Sequence, residues 1–428
     1  MSPLIRKLLF YAFVMLFILS GTIIISYSLG WKIDFNPPAG GFILERTGAI
    51  SIKTDPKNVI IKINGKNYPD QSGILQSATL ISGLLPKTYD VEINKDGYLP
   101  YHKNISVKPA LVSKLSSIRL IPDKISSDTI SQVKGNVFID SADNSSKFII
   151  QNQKTGIYYF YDLNNLSSFL NLTNAFENSN PTSTIKKAKF VPFKTTQFAI
   201  EDSSGLKILD TETGNTSLIV KNPAVWTIEN SSVYYIKTPA GKNKNPVLYC
   251  YNAAIQAQCL SVEIPKIFSL SRFIQIKSFN NKVAFLNSTG GLYLFDPNSD
   301  DIKEIAHNAK FFIFSPDNKK IAFLDKDGKL GIQFLDNYSN DFIKKSGDVI
   351  RFDLENKSEI TSIAWYNDSN HLFLDYGAAV KFMEIDERLP LNIYMIAANV
   401  QNYYYDFKTD IFYFISGGKI QKIDFNNQ

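Results

Sequence analysis

The stretch FSPDNKKIAFLDKDGKLGIQFLD, Phe314–Asp336, reads as two short strands joined by a turn, and the fold depends on whether it recurs. Its apolar triplet Ile321-Ala322-Phe323 has counterparts beginning at Phe148, Phe198, Val233, Val283, Leu372 and Phe412. The centres fall at 149, 199, 234, 284, 322, 373 and 413, a mean spacing of about 44 residues. A glycine follows each centre by four to seven residues: Gly156, Gly205, Gly241, Gly290, Gly328, Gly377 and Gly417. Each unit then runs into an apolar strand ending near an Asx residue: Asp162, Asp210, Asn252, Asp296, Asp336, Asp386 and Asp424. An aromatic strand precedes most triplets, carrying Phe138, Phe190, Trp226, Phe279, Phe314, Trp365 or Tyr405. Glycine serves the turn between second and third strands, and the Asx side chain can bond its own backbone in the next turn.

Seven such units, each of three or four strands, predict a seven-bladed β-propeller, with six or eight blades also compatible. Phe314–Asp336 resembles the repeat of WD-type and TolB-like propellers, a resemblance that spans roughly residues 123–428 and is fair at IAWYNDSNHLFLDYGAAVKFMEID. The last unit stops at KIQKIDFNNQ, its third strand. An unclosed ring would expose a raw strand edge. Residues 125–133, ISSDTISQV, are therefore expected to supply the missing outer strand.

Upstream lies a different β pattern. VIIKING puts Val59, Ile61 and Ile63 on one face and ends in the turn pair Asn64-Gly65. TYDVEINKDGY puts Tyr89, Val91 and Ile93 inward and Thr88, Asp90 and Glu92 outward. Ile50 and Ile52 alternate in the same way, and the NISV and SIRLIP strands complete the set. Period-two alternation with Asx-Gly turns predicts a small antiparallel β-sandwich. Residues 48–122 resemble a PEGA domain, most closely from Tyr89 to Tyr98, although Pro56-Lys57-Asn58-Val59 keeps only the proline of the naming tetrapeptide. That resemblance implies an adhesion or spacer module of bacterial envelopes and no catalysis.

The N-terminus sets the compartment. Arg6 and Lys7 precede an uncharged apolar run, Leu8 to Trp31. It spans roughly 36 Å as a helix, enough to cross a bilayer. The positive-inside rule puts residues 1–7 in the cytoplasm as a short tail and everything after the 8–31 anchor outside. The alternative is a cleaved signal peptide, with Ser26 and Ser28 before the cut. Its apolar region would exceed the usual roughly 7–15 residues. Residues 32–47, with DFNPPAGGF at Asp34–Phe42, read as a linker. Two cysteines, Cys250 and Cys259, suit either a disulfide across a hairpin or two small apolar fillers.

At 428 residues the chain is long enough for more than one domain. The net charge of +6 is interspersed, with no basic run, so nucleic acid is not an expected partner. The three histidines, His102, His307 and His371, fall in separate elements. Neither metal-ligand spacing nor a phosphate loop is present, so no cofactor, metal or catalytic residue is assigned. Asp202, Asp325, Asp327 and Asp375 follow second strands and read as turn residues, as do SPDN and DKDGK. Carboxylates in a propeller channel could serve a glycoside hydrolase, and that is the alternative function. Tyr158, Tyr403 and Tyr404 lie in tyrosine runs. They could stack on a ligand at the rim or fill the space between blades. The expected role is a non-catalytic, single-pass, membrane-tethered binding or scaffold protein of the bacterial envelope. Its partner would be an envelope protein or a cell-wall glycan.

Overall fold

The computed structural model describes residues 3–35, 40–73, 76–141, 147–163, 169–191, 194–230, 232–238, 244–252, 257–268, 271–299, 301–355 and 359–426. Among the sequence readings, Gly241 lies outside them. Pro3–Ser28 is one α-helix with a mean hydropathy of 2.6 in its most apolar window and no buried residue, long and apolar enough to cross a membrane. The segment read as a plain linker carries structure. Trp31–Asp34 pairs antiparallel with Ile43–Arg46, in register from Trp31 opposite Arg46 to Asp34 opposite Ile43.

The chain divides into two compact units. The first comprises residues 1–124 with two short segments from much later in the chain, Tyr338–Lys344 and Asp386–Asn392. Its core is a sandwich. One layer has three strands, with Gly48–Asp55 between Thr79–Leu84 and Val112–Arg119. The other has four, ordered Lys66–Pro69, Ile60–Ile63, Thr88–Asn94 and Tyr101–Ser106. Ile50, Ile61, Val91, Ile93 and Ile105 are fully buried between the layers, while Thr88 and Asp90 face outward. Asn64 (φ 48°) and Gly65 (φ 77°) form the left-handed pair that a two-residue hairpin needs. The sandwich is not wholly antiparallel: Gly48–Asp55 runs parallel to Val112–Arg119. Sequence alternation fixes which residues point inward but not strand direction, so this pair could not be read in advance.

The late segments cover the edges of this sandwich. Tyr101–Ser106 is an edge strand, and its His102 amide donates to Asn392 Oδ1 at 3.2 Å while the Asn392 amide donates back to His102 O at 2.9 Å. The Asn104 amide donates to Leu389 O at 2.8 Å. Lys103, fully buried, donates its ammonium to Arg388 O at 2.7 Å and Pro390 O at 3.1 Å. On the other layer, the edge strand Val112–Arg119 gives the Ser116 amide to Asp341 Oδ1 and receives Arg388 Nη2 on Lys114 O at 3.1 Å. Unpaired edge groups are thus met by side chains and loop carbonyls instead of another strand.

The second unit holds seven four-stranded sheets among the described residues. Their first strands are Val137–Ser141, Lys187–Val191, Val225–Glu229, Phe273–Phe279, Ala309–Phe314, Ser362–Trp365 and Asn402–Asp406. Each repeated triplet lies in the second strand of its sheet, and the glycines at 156, 205, 290, 328, 377 and 417 all have positive φ in the turn that follows. Asp210, Asp296 and Asp424 accept amides two residues on, as Asx turns do. In the seventh sheet the fourth strand is Asp128–Gln132, which pairs antiparallel with Lys419–Asp424. Among the described residues, five of the seven pairs of successive first strands lie side by side, and Val137–Ser141 meets Asn402–Asp406 as well as Lys187–Val191. The unit is a β-propeller, and the ring joins its first sheet to its last.

Candidate functional site

The first strands run through the centre of the ring, so their side chains decide what the axis offers. A cavity of about 400 Å³ opens where these strands end. Asp140, Lys189, Glu229, Ser278 and Asn280 line it from four successive sheets, with Lys408 from the seventh.

Most polar groups here join one sheet to the next. Asn402 Oδ1 accepts the Phe138 amide at 2.9 Å, closing the seventh sheet on the first. Asp140 Oδ2 accepts the Phe190 amide at 2.8 Å, from first to second. Lys187 donates to Trp226 O at 2.7 Å, from second to third. Glu229 Oε1 accepts the Asn280 amide at 2.5 Å, from third to fourth. Gln275 Nε2 donates to Phe312 O at 3.0 Å, and Trp365 Nε1 to Ile313 O at 3.3 Å. Tyr366 donates to Asp410 Oδ2 at 2.8 Å, from sixth to seventh. Every junction of the ring thus carries a side-chain hydrogen bond, most from a first strand to its neighbour's backbone or side chain. These bonds satisfy buried backbone groups that the ladders leave over.

Lysines on these first strands also feel the burial of the ring interior. Burial pushes the Lys187 ammonium down to about 7, helped by Lys189, although Glu201 and Asp140 oppose the shift. Lys187 lies over the Trp226 ring, 4.4 Å from its centroid. Burial likewise pushes Lys277 down to about 8, again with Lys189 contributing. Desolvation disfavours an ammonium, and a like charge nearby adds to it. No sequence motif singled out these three. The available signal was lysine at alternate positions, 187 and 189, in a strand the repeat places inside the ring.

The residues singled out in the sequence fall elsewhere. Tyr158 is 3% exposed and donates its hydroxyl to Lys186 O at 3.0 Å. Tyr403 stacks on Phe412 with centroids 5.2 Å apart, and Tyr404 packs edge-on against Phe148 at 5.6 Å. All three fill space within or between sheets, so a shared ligand-stacking rim is not where the structure puts them. Cys250 and Cys259 form a disulfide with Cα atoms 5.1 Å apart. It bridges the third and fourth strands of the third sheet, beside the register shift after Cys250.

The acids considered for catalysis are engaged in turns. Asp202 pairs with Lys207 at 2.7 Å and accepts the Ser204 and Gly205 amides; these bonds hold its carboxyl well below the usual range against the cost of burial. Asp375 accepts the Gly377 amide at 2.8 Å and Asp325 the Lys329 amide at 2.7 Å. Asp327 lies in the same exposed turn, where Asn308 Nδ2 donates to its Oδ2 at 3.3 Å. His371 pairs with Asp368 at 2.7 Å and lies flat on Phe382, buried; His307 is exposed beside Glu304, and the His102 backbone is held by Asn392. The described residues contain no group of three or more His, Cys, Asp or Glu able to hold a metal ion.

Comparison with known proteins agrees with this architecture. Residues 47–118 match the PEGA domain, and residues 243–413 match the NUP159/214 beta propeller. The protein therefore carries a PEGA domain and a β-propeller behind an N-terminal apolar helix. Among curated proteins none matches the chain. Solved structures that resemble it include the Cps50 (Swd1) beta-propeller domain of Myceliophteria thermophila, with TM-score 0.49 and 8% identity over 70% of this chain and 99% of that one. A chain of a mitotic checkpoint complex gives 0.48 and 10% over 72% and 95%. Hydrazine synthase of Kuenenia stuttgartiensis gives 0.47 and 12% over 69% and 97%. Likenesses at this level say nothing of what this chain binds.

Proposed function

We propose that this is a non-catalytic binding protein tethered to a membrane, whose propeller presents a rigid face to an envelope protein or a cell-wall glycan. The observation that carries the reading is the engagement of the axial acids. Asp140 and Glu229, the two carboxylates lining the cavity, each accept an amide of the next sheet. A retaining or inverting hydrolase needs one acid poised to give a proton and another to attack or to activate water. Carboxylates that clasp backbone amides are suited to holding the ring.

The helix supports a membrane location. Arg6 and Lys7 at its start favour a cytoplasmic N-terminus with both units outside. The Cys250–Cys259 disulfide is in keeping with an oxidising, extracytoplasmic compartment. The PEGA domain suits an adhesion or spacer role in that compartment.

The test is co-sedimentation of the full chain, held in detergent micelles, with isolated cell envelopes before and after protease treatment. Binding lost on protease treatment identifies a protein partner, and binding that survives identifies a glycan. Absence of binding to either preparation, with the propeller folded, would contradict the proposal.

A further inference from the structure

The N-terminal helix leads directly into a hairpin with two unlike faces. From Leu8 to Ser28 the helix rises about 30 Å, the thickness of a bilayer's hydrocarbon layer, so a helix that spans the membrane ends at the outer headgroups. Only Leu29 and Gly30 separate it from the strand Trp31–Asp34, which keeps Trp31 within about 11 Å of Ser28. Gly30 turns the chain at φ 87°, and its carbonyl accepts the Thr47 amide at 2.7 Å and the Thr47 hydroxyl at 2.8 Å. Thr47 follows the return strand Ile43–Arg46, so both strands of the hairpin are held at the helix end.

Directly opposed residues of an antiparallel pair point to the same face. The register sets Trp31 opposite Arg46 and Ile33 opposite Leu44, and Phe35 and Phe42 are the next residues of the same two rows. All six are exposed, Phe35 at 78%, Phe42 at 76% and Leu44 at 55%. The other face carries Lys32, Asp34, Ile43 and Glu45, and Lys32 donates its ammonium to Gly83 O of the sandwich at 2.9 Å. The polar face therefore turns to the sandwich and the apolar face away from it.

A contiguous apolar strip left in water marks a contact surface. The helix end decides what the contact is, because the base of the hairpin is fixed at headgroup level. Strands of four residues reach about 13 Å, farther than the headgroup layer is deep, so the strip meets lipid along its length when the hairpin lies flat on the bilayer. Tryptophan at the base is a residue that the headgroup level favours, and Arg46 opposite it suits lipid phosphate.

We propose that the apolar face of this hairpin lies on the outer surface of the bilayer, with its five apolar side chains at the boundary of headgroups and acyl chains and Arg46 against lipid phosphate. The hairpin is then a second membrane contact that limits how the sandwich can turn about the helix end. This contact rests on the membrane tether proposed above.

The test uses the full chain reconstituted into vesicles of phosphatidylcholine and phosphatidylglycerol, with an environment-sensitive fluorophore on one introduced cysteine. Cys250 and Cys259 are already paired and do not take the label. Leu44→Cys reports the hairpin face, Ile18→Cys the middle of the helix, and Asp96→Cys an exposed turn of the sandwich. The label at position 44 should emit to the blue and be quenched more by lipids brominated high on the acyl chain than by lipids brominated near its end. The label at 18 should show the opposite order, and the label at 96 little quenching. Adding Phe35→Ser and Phe42→Ser should cut the quenching at 44 by about half or more, since two of the three rings on the face are lost, and leave that at 18 unchanged. An aqueous signal at 44 with lipid quenching at 18 overturns the hairpin contact and leaves the tether standing, whereas aqueous signals at both remove the tether as well. A blue-shifted label at 44 that no brominated lipid quenches means that a second copy of the chain covers the face, and that too overturns the proposal.

Discussion

The PEGA unit and the propeller are both built of short antiparallel strands, yet they bury them differently. In the sandwich each strand has one covered face. Thr88–Asn94 alternates strictly, with Tyr89, Val91 and Ile93 buried and Thr88 and Asp90 exposed. In the propeller a second strand is covered on both faces by neighbouring sheets. Ile321, Ala322, Phe323 and Leu324 are all buried in a row. The edges differ as well. The sandwich edges are covered by segments from far along the chain, Asp386–Asn392 and Tyr338–Lys344, whereas the seventh propeller sheet is completed by a strand, Asp128–Gln132. A sheet with one wet face tolerates patching at its edge, while a ring needs a backbone ladder to close.

The largest effect should come from that ladder. Deleting residues 128–132 strips the outer strand from the seventh sheet and leaves Lys419–Asp424 as a raw edge. The expected loss exceeds about 4 kcal/mol, beyond most single substitutions, with aggregation on heating. Unfolding and light scattering measured together would show it. A deletion that melts like the parent would mean the strand is an accessory.

Paired substitutions sharpen the contrast of faces. In the propeller, Leu372→Ala and Phe373→Ala point to opposite faces, and both side chains are fully buried. Each should cost roughly 2–5 kcal/mol. In the sandwich, Val91→Ala should lower stability by more than about 1 kcal/mol, while its outward neighbour Asp90→Ala stays within about 0.5 kcal/mol. Denaturant titration of the four variants decides it, and equal effects at Val91 and Asp90 would remove the distinction.

Lys103→Met tests the patched edge. It leaves the carbonyls of Arg388 and Pro390 without their buried donor, at a cost of roughly 1–3 kcal/mol. Hydrogen exchange should rise at Asn104, whose amide is held by Leu389 O, and not in the propeller strands.

The smallest effect is a pH slope. Lys187 and Lys277 have folded values near 7 and 8, below the unfolded lysine value of 10.5. The unfolded chain therefore binds more protons between about pH 7 and 10, and stability rises with pH across that window. Lys189 and Asp140 act on both groups and Glu201 on Lys187 as well, so the Lys187→Met and Lys277→Met variants should each flatten the rise without abolishing it. A slope unchanged in both variants would place its origin elsewhere.

Much of the fold could be read from residues. The triplets, the positive-φ glycines and the Asx turns repeat because each sheet must solve the same turn problem, and the sandwich alternation follows from one dry face. What could not be read came from long range. Nothing local marks Asp386–Asn392 as an edge cover or Gly48–Asp55 as parallel to Val112–Arg119. The axial site was also hidden. Tyrosine runs drew attention because aromatics stack on ligands, but in a ring both faces of a sheet are interior, and Tyr158 and Tyr404 were used for packing. Lysines 187, 189 and 277 looked like ordinary solvated residues until the ring put their strands around one channel.

The central claim is that the axial carboxylates hold the ring and do no chemistry. Asp140→Asn and Glu229→Gln, incubated with isolated envelopes beside the parent chain, test it most directly. The account predicts no soluble sugar released by the parent, a lower unfolding temperature in both variants, and unchanged sedimentation with envelopes for the molecules that remain folded. Release of sugar by the parent, abolished in either variant with its unfolding temperature intact, would contradict it.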